Sequence, residues 1–164
     1  DPAHKGHIAI SKEAKKKSRL KSIIWAITKK NPFKKKTFFS LRLRKKLCLN
    51  LIKRNKKIEL KYYENKIMSP TSIKLIKYLK KRGNYNVFFI IGADNLINLH
   101  KWKNFKELIK LTKLVVFSRK GFDTKAKKSV ILKYLNKKNF IFFKNIRLDI
   151  SSTKLRDAII NGSK

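Results

Sequence analysis

The chain has 164 residues, of which 42% are hydrophobic, so it is long enough to form one domain with a hydrophobic core. Its formal net charge is +36, from 45 Lys and Arg against 9 Asp and Glu. Because Cys48 is its one cysteine, an internal disulfide and a metal site with several thiolate ligands are excluded. The longest apolar run, VFFIIGA at 87–93, is far shorter than the ~20 residues that a membrane-spanning helix needs. We therefore expect a protein without membrane spans, located in the reducing cytoplasm.

The high positive charge raises the question of a nucleic-acid partner. An excess of basic residues is the usual electrostatic footprint of nucleic-acid binding. Here Lys far outnumbers Arg, the excess is spread along the whole chain, and it accompanies heavy use of Asn, Ile, Phe and Tyr. These residue types share A- and T-rich codons, so genome composition and solvated Lys faces explain the charge better than a dedicated polyanion surface. We expect no nucleic-acid partner.

Helical and strand patterns alternate along the chain. A helix is predicted over 40–55, where Ser40 can cap the N-terminus and Leu43, Leu47 and Leu51 form an apolar stripe. The other predicted helices cover 6–20, 71–83 and 152–160, and the predicted strands cover 22–28, 58–63, 87–92, 114–119 and 140–143, with that at 87–92 buried on both faces. This alternation predicts an α/β fold, a parallel sheet with helices on both faces, and no linker divides it. We expect a single domain over 1–164.

The first seven residues, DPAHKGH, place two histidines around a glycine at the start of the first predicted helix. The unpaired N–H groups and the dipole of a helix N-terminus favour phosphate, and Gly6 lets a ligand approach the backbone closely. His4 and His7 can donate hydrogen bonds to negative charge that develops on phosphorus. A metal site is the alternative for HxxH, but no third His, Cys or carboxylate lies nearby, so no metal site is predicted.

A second phosphate-binding pattern, ISSTKLR, occupies 150–156 at the start of the last predicted helix. Taken alone, Ser and Thr before a helix indicate only an N-cap. Ser151, Ser152 and Thr153 with Arg156 one turn inside also form a hydroxyl-rich, cationic cradle for phosphate oxygens. One α/β chain thus carries a candidate phosphate site near each end.

The order of these motifs resembles one enzyme family. DPxHxGH near the start and ISSTxxR near the end resemble the nucleotidyltransferase superfamily that transfers an adenylyl group from ATP. Between them, FIIGADNLINLHKW at 89–102 is similar to the signature of bacterial nicotinate mononucleotide adenylyltransferases. The segments WAITKKNPFK, SLRLR and VVFSRKG, at 25–34, 40–44 and 115–121, follow that family's order and spacing. The resemblance covers nearly the whole chain and implies a Rossmann-like nucleotidyltransferase fold.

The resemblance also implies a reaction, in which the adenylyl group of ATP passes to nicotinate mononucleotide and gives deamido-NAD and pyrophosphate. His4 and His7 would be the catalytic residues, and Mg²⁺ would accompany ATP. The residues implied in ATP binding are Gly6, Asp94, Ser151, Ser152, Thr153 and Arg156. Those implied in binding nicotinate mononucleotide are Trp102, which would stack on the pyridine ring, and Thr71, Ser72, Thr28, Asn31 and Lys34.

The sequence departs from the family pattern at two places. The family begins with a strand and a GGxF turn before DP, and we expect that strand, the central one of the sheet, to be missing before Asp1. At 69–72 the sequence is SPTS where the family usually has Ser-Tyr-Thr, and Pro70 cannot donate a backbone hydrogen bond.

Three other functions remain as alternatives. Phosphopantetheine adenylyltransferases share both phosphate motifs, but GADNLINLHKW fits them poorly. HKGH and KIMSPTS faintly resemble the two signatures of class I aminoacyl-tRNA synthetases, but the chain is too short and KIMSPTS precedes a central strand. A basic RNA-binding module would expose aromatic residues interleaved with Arg, whereas most Phe and Tyr here follow apolar patterns. The sequence leaves a homo-oligomer open.

Overall fold

The structure, a computed structural model, describes residues 2–30 and 37–144. It divides into two compact units, one formed by Asp1–Pro70 with Arg147–Lys164 and the other by Thr71–Ile146. Our expectation of a single domain over 1–164, with a strand and a GGxF turn missing before Asp1, stays a prediction.

The first unit contains two parallel strands and three helices among its described residues. In chain order they are α1 (Lys5–Lys17), β1 (Ile23–Ile27), α2 (Leu41–Ile52), β2 (Ile58–Tyr62) and α3 (Glu64–Ile67). β1 and β2 pair in parallel register from Ile23 opposite Ile58 to Ile27 opposite Tyr62. Because the strands are parallel, their carboxyl ends meet at one edge, the edge at which open α/β sheets bind ligands.

Helix α2 confirms the predicted N-cap but buries a different face from the one expected. The N–H of Leu43 donates to Ser40 Oγ over 3.2 Å. The buried residues are Arg44, Cys48 and Ile52, whereas Leu43 is exposed. The apolar pattern was misleading because leucines occupy two adjacent stripes of this helix, and the stripe that faces the core begins with an arginine.

The second unit contains three parallel strands in the order β3-β4-β5. Its described elements are α4 (Ser72–Lys81), β3 (Phe88–Gly92), α5 (Ala93–Asn98), a 3₁₀ turn (Leu99–Lys101), α6 (Phe105–Leu111), β4 (Lys113–Phe117), α7 (Asp123–Lys127), a second 3₁₀ turn (Val130–Tyr134) and β5 (Phe140–Phe143). β4 pairs with β3 on one side and with β5 on the other. The α/β class predicted from the alternating pattern is confirmed.

The core of the second unit surrounds its middle strand. Leu114, Val115 and Val116 of β4 have no exposed surface, and Leu96, Leu99 and Leu108 from the flanking helical segments are also fully buried. β3 is less enclosed than predicted, since Phe88–Ile90 are only half-buried. In this three-stranded sheet β3 lies at an edge and β4 lies in the middle, so β4 is the strand that is buried on both faces.

Most of the predicted elements appear within a few residues of their expected bounds. Strand 140–143 is found as predicted, and helix 71–83 ends two residues early at Lys81. The predicted helix over 152–160 lies outside the described residues. Across the part of the chain that the structure describes, no helix is both long enough and apolar enough to cross a bilayer.

Candidate active site

The two predicted catalytic histidines lie at the N-terminus of α1 and cap it. His4 is the N-cap residue, with an extended backbone, and its Nδ1 accepts a hydrogen bond from the N–H of Gly6 over 3.1 Å. In return, Nδ1 of His7 accepts from the N–H of His4 over 3.3 Å. This is a reciprocal capping box built from imidazoles in place of the usual Ser or Thr and Glu.

The capping box sets the tautomer of both rings. A neutral imidazole has one protonated nitrogen and one acceptor nitrogen. Because Nδ1 of His4 and of His7 accepts a backbone N–H, the proton of each neutral ring lies on Nε2. Both Nε2–H groups are therefore donors beside the positive end of the α1 dipole, and the first turn of α1 contains no acidic residue that would oppose an anion.

Aromatic contacts hold the histidine rings from the side. The rings of His4 and His7 meet edge to face with their centroids 4.2 Å apart, and the ring of His7 meets Trp25 of β1 in the same way at 6.1 Å. Trp25 in turn donates from its indole Nε1 to Oγ of Ser11, a buried residue of α1, over 2.9 Å. The first strand thus helps to fix the orientation of the His7 ring. Gly6, which lies between the two histidines in the sequence, is buried.

Asp94, predicted to bind ATP, lies in the first turn of α5 directly after β3. Its Oδ2 accepts a hydrogen bond from Nη1 of Arg119 over 2.6 Å, and the two groups form an ion pair. Its other oxygen, Oδ1, is buried and has no hydrogen-bond partner among the described residues. A buried acceptor without a partner is costly, and no described residue supplies the missing donor. No side-chain cap bond forms at this helix start, so a capping role does not account for Asp94.

Gly92 makes room for the Asp94 carboxylate. A Cβ atom on residue 92 would overlap Oδ1 of Asp94, the same oxygen that lacks a partner. The glycine of the FIIGAD motif is therefore required for close approach and not for an unusual backbone angle, because Gly92 has φ −83°.

The predicted pyridine-side residues of the second unit lie at the end of a 3₁₀ turn and at the start of α4. Trp102 follows the first 3₁₀ turn, is half-buried, and meets Phe89 of β3 edge to face with centroids 6.0 Å apart. Thr71 is the N-cap residue of α4 and Ser72 its first residue, and both are half-buried. Trp102 therefore packs partly against the core while it keeps some exposed surface for a ligand.

Thr28, the remaining described residue of the predicted set, follows β1 in the first unit, and its carbonyl accepts a hydrogen bond from Arg44. The other predicted residues lie outside the described part of the chain: Asn31, Lys34, Ser151, Ser152, Thr153 and Arg156. For these six the assignments stay predictions.

Sequence reasoning missed three residues of this site. Arg119 lies within VVFSRKG, and its place after β4 could have marked it, because β3 and β4 end at the same edge and Asp94 follows β3. Trp25 and Arg44 lie in the family-like segments WAITKKNPFK and SLRLR, but no sequence pattern indicated their partners, which are a serine of α1 and backbone carbonyls. Among the described residues no group of three or more His, Cys, Asp or Glu side chains could hold a metal ion.

Comparison with known proteins supports the family indicated by the motifs. The profile of the cytidylyltransferase-like family matches residues 1–158. A Pelagibacter ubique protein named "Probable nicotinate-nucleotide adenylyltransferase" is 48% identical over 156 residues, which cover 95% of this chain and 87% of that protein. An Aquifex aeolicus protein of the same name is 31% identical over 94% of this chain and 95% of its own length.

A solved structure has the same fold. The nicotinic acid mononucleotide adenylyltransferase of Plasmodium falciparum, complexed with NaAD, superposes with a TM-score of 0.72 over 95% of this chain and 80% of that protein, at 19% sequence identity. The predicted Rossmann-like nucleotidyltransferase fold is thus confirmed. The motifs located in the structure and the relatives named above indicate the same family. The chain belongs to the cytidylyltransferase-like family, among the nicotinate-nucleotide adenylyltransferases.

Proposed function

We propose that this chain transfers the adenylyl group of ATP to nicotinate mononucleotide, producing deamido-NAD and pyrophosphate for NAD biosynthesis in the cytoplasm. The observation that carries the proposal is the imidazole capping box, which puts the proton of both neutral rings on Nε2 at the N-terminus of α1. That arrangement suits the binding of a polyphosphate. The family to which the chain belongs indicates that the acceptor is nicotinate mononucleotide.

The reaction is a direct displacement at phosphorus. An oxygen of the nicotinate mononucleotide phosphate forms a bond to the α-phosphorus of ATP, the bond from that phosphorus to the α,β-bridging oxygen breaks, and pyrophosphate leaves with the electron pair. No side chain forms a covalent intermediate, so the protein acts by positioning the two nucleotides and by stabilising charge. His4 and His7 donate to the oxygens on which charge increases in the transition state.

Asp94 and Trp102 recognise the nucleotides away from the reacting phosphorus. The carboxylate of Asp94, whose Oδ2 is held by Arg119, contacts the adenosine in this proposal. The half-buried indole of Trp102 offers a π-face to the pyridine ring, and Thr71 and Ser72 add hydroxyl contacts. ISSTKLR holds the β,γ end of the triphosphate in this proposal.

Magnesium enters with its nucleotide, as part of the substrate Mg·ATP. Mg²⁺ keeps several waters and is usually bound through substrate phosphates and one or two carboxylates. The described residues do not form a metal-binding cluster, so the ligands in this proposal are phosphate oxygens and water. The ion neutralises part of the triphosphate charge that the two histidines would otherwise face alone.

Pyrophosphate release tests the proposal. The assay supplies Mg·ATP with nicotinate mononucleotide, nicotinamide mononucleotide or phosphopantetheine, and a reaction without acceptor gives the background. We expect release with nicotinate mononucleotide and formation of deamido-NAD in equal amount. Release with phosphopantetheine alone would support the alternative adenylyltransferase, and release that needs no acceptor would indicate ATP hydrolysis.

A further inference from the structure

Arg44 of α2 is a buried arginine that donates hydrogen bonds to three backbone carbonyls of two chain segments. It is 9% exposed. Its Nη1 donates to the carbonyl of Thr28 over 2.8 Å, its Nη2 to that of Lys29 over 2.5 Å, and its Nε to that of Phe39 over 3.1 Å. The guanidinium therefore joins the two residues that follow β1 to the residue that precedes the cap of α2.

Three convergent carbonyl contacts require the shape of arginine. A guanidinium presents five N–H donors in a rigid plane, whereas a lysine ammonium is a compact point charge on a flexible stem. Burying a cation is costly, and a leucine or methionine would fill the same volume without that cost. Packing alone therefore does not explain why the core-facing stripe of α2 begins with a charged residue.

Lys29 is also bound through its backbone N–H group. The N–H of Lys29 donates to Oε1 of Glu64 over 3.0 Å, while Arg44 binds the carbonyl of Lys29. Glu64 begins α3 directly after β2, and its Oε2 accepts from the hydroxyl of Tyr62 over 3.5 Å. Burial raises the pKa of the Tyr62 phenol, and the charge of Glu64 raises it further, so Tyr62 remains a protonated donor. Residue 29 thus has both backbone polar groups bound, one to a cation and one to an anion.

This double attachment lies where β1 and β2 end, at the ligand-binding edge of parallel strands. We propose that Arg44 and Glu64 are positioning residues for the acceptor nucleotide: by fixing the backbone of Thr28 and Lys29, they place the Thr28 hydroxyl and the exposed Lys29 ammonium to receive the phosphate-bearing acceptor. The inference rests on the proposed function and adds the residues that set acceptor affinity. Arg44 touches backbone and not substrate, so it acts through Thr28 and Lys29.

The test compares Arg44→Lys with Arg42→Lys, an exposed position on the same helix. Arg44→Lys keeps the charge but cannot bind three carbonyls at once. We expect the KM for nicotinate mononucleotide to rise by about 10-fold or more, because small displacements of binding groups are costly, and the KM for Mg·ATP to change by less than about 2-fold. Arg42→Lys should leave both values as in the unaltered chain.

Glu64→Gln is a second variant, which keeps the side-chain volume and tests the hydrogen bond from the N–H of Lys29 to Glu64. It should raise the same KM by a smaller factor, since an amide oxygen still accepts from Lys29. Unchanged KM values in a folded Arg44→Lys variant would overturn the inference. Equal rises in both KM values together with a lowered Tm in both variants would also overturn it, because they would indicate general destabilisation. If the unaltered chain transfers no adenylyl group to a pyridine nucleotide, the proposed function fails and the inference fails with it.

Discussion

At the scale of single residues, each histidine of the HxGH motif has two ring nitrogens that can serve different purposes. The helix N-terminus needs acceptors for its unpaired N–H groups, and the Nδ1 atoms of His4 and His7 provide them. In the proposed reaction, the opposite ring nitrogens would supply hydrogen-bond donors to phosphate oxygens. An ionised aspartate could cap the helix but would present no donor, whereas a neutral imidazole has an acceptor nitrogen and a donor nitrogen on opposite sides of one ring.

Replacing His7 by Ala should therefore affect the transition state more than substrate binding. We expect kcat to fall by ~10²-fold or more, in the range found when one donor to a developing charge is removed, with the KM for Mg·ATP within a few-fold. Lys12→Ala, an exposed change on the same helix, is the control. A variant with a raised KM and an unchanged kcat would show that His7 only binds ground-state ATP.

Trp102 allows a matching experiment on the acceptor side. If the indole stacks on the pyridine ring, Trp102→Ala should weaken nicotinate mononucleotide binding by about 1–3 kcal/mol, as for bases that stack on aromatic side chains, and should leave ATP binding unchanged. Trp102→Phe should restore part of the loss. Because Trp102 also contacts Phe89, the Tm of each variant must be measured: parallel loss of both affinities with a lower Tm would assign Trp102 to the core.

At the scale of elements, α1 and β1 are joined by a hydrogen bond from Trp25 Nε1 to Ser11 Oγ as well as by the ring contact of His7 with Trp25. Ser11→Ala leaves the half-buried indole N–H without its acceptor, and we expect a loss of about 1–3 kcal/mol in the free energy of unfolding. Trp25→Phe removes the donor together with that penalty. A double-mutant cycle measured by chemical denaturation gives the coupling between the two side chains. Strictly additive losses would mean that the bond contributes nothing.

The elements themselves were largely predictable, and the reasons are local. Short apolar runs and a capping serine define β1, β5 and α2 without any long-range information. The orientation of α2 was not predictable in the same way, because the stripe that begins with Arg44 looks less apolar than the stripe of leucines beside it. Its burial depends on carbonyl acceptors from residues 28, 29 and 39, which are distant in sequence and which no periodicity reveals.

The candidate site also contains residues that local sequence predicts and contacts that it does not. His4, Gly6 and His7 were predictable because all three belong to one helix start, where spacing in sequence is spacing in space. The place of Arg119 after β4 could have marked it, but its contact with Asp94 joins two adjacent strands across 25 positions of sequence and does not follow from local spacing. The thiol of Cys48 is buried, and that burial raises its pKa, although the charge of nearby Arg44 opposes the shift.

At the scale of the whole molecule, a net charge of +36 acts on two substrates that are both polyanions. A field of one sign increases the encounter rate with oppositely charged ligands, and salt screens it as the Debye length falls from ~30 Å at 0.01 M to ~8 Å at 0.15 M. We expect kcat/KM for both nucleotides to fall over that range of NaCl while kcat changes little. Sucrose at equal osmolality is the control, and equal effects of the two solutes would exclude a role of charge.

The middle position of β4 has a consequence for amide hydrogen exchange. Among the described strands, β4 alone has a partner on each side, and Leu114, Val115 and Val116 expose no surface. Amides of this kind exchange only when the surrounding structure opens as a unit, whereas those of an edge strand exchange through smaller openings. The slowest amides of the second unit should lie at 114–116, and their exchange rates would report how often that unit unfolds. Faster exchange there than in β3 would mean that the unit opens from its centre.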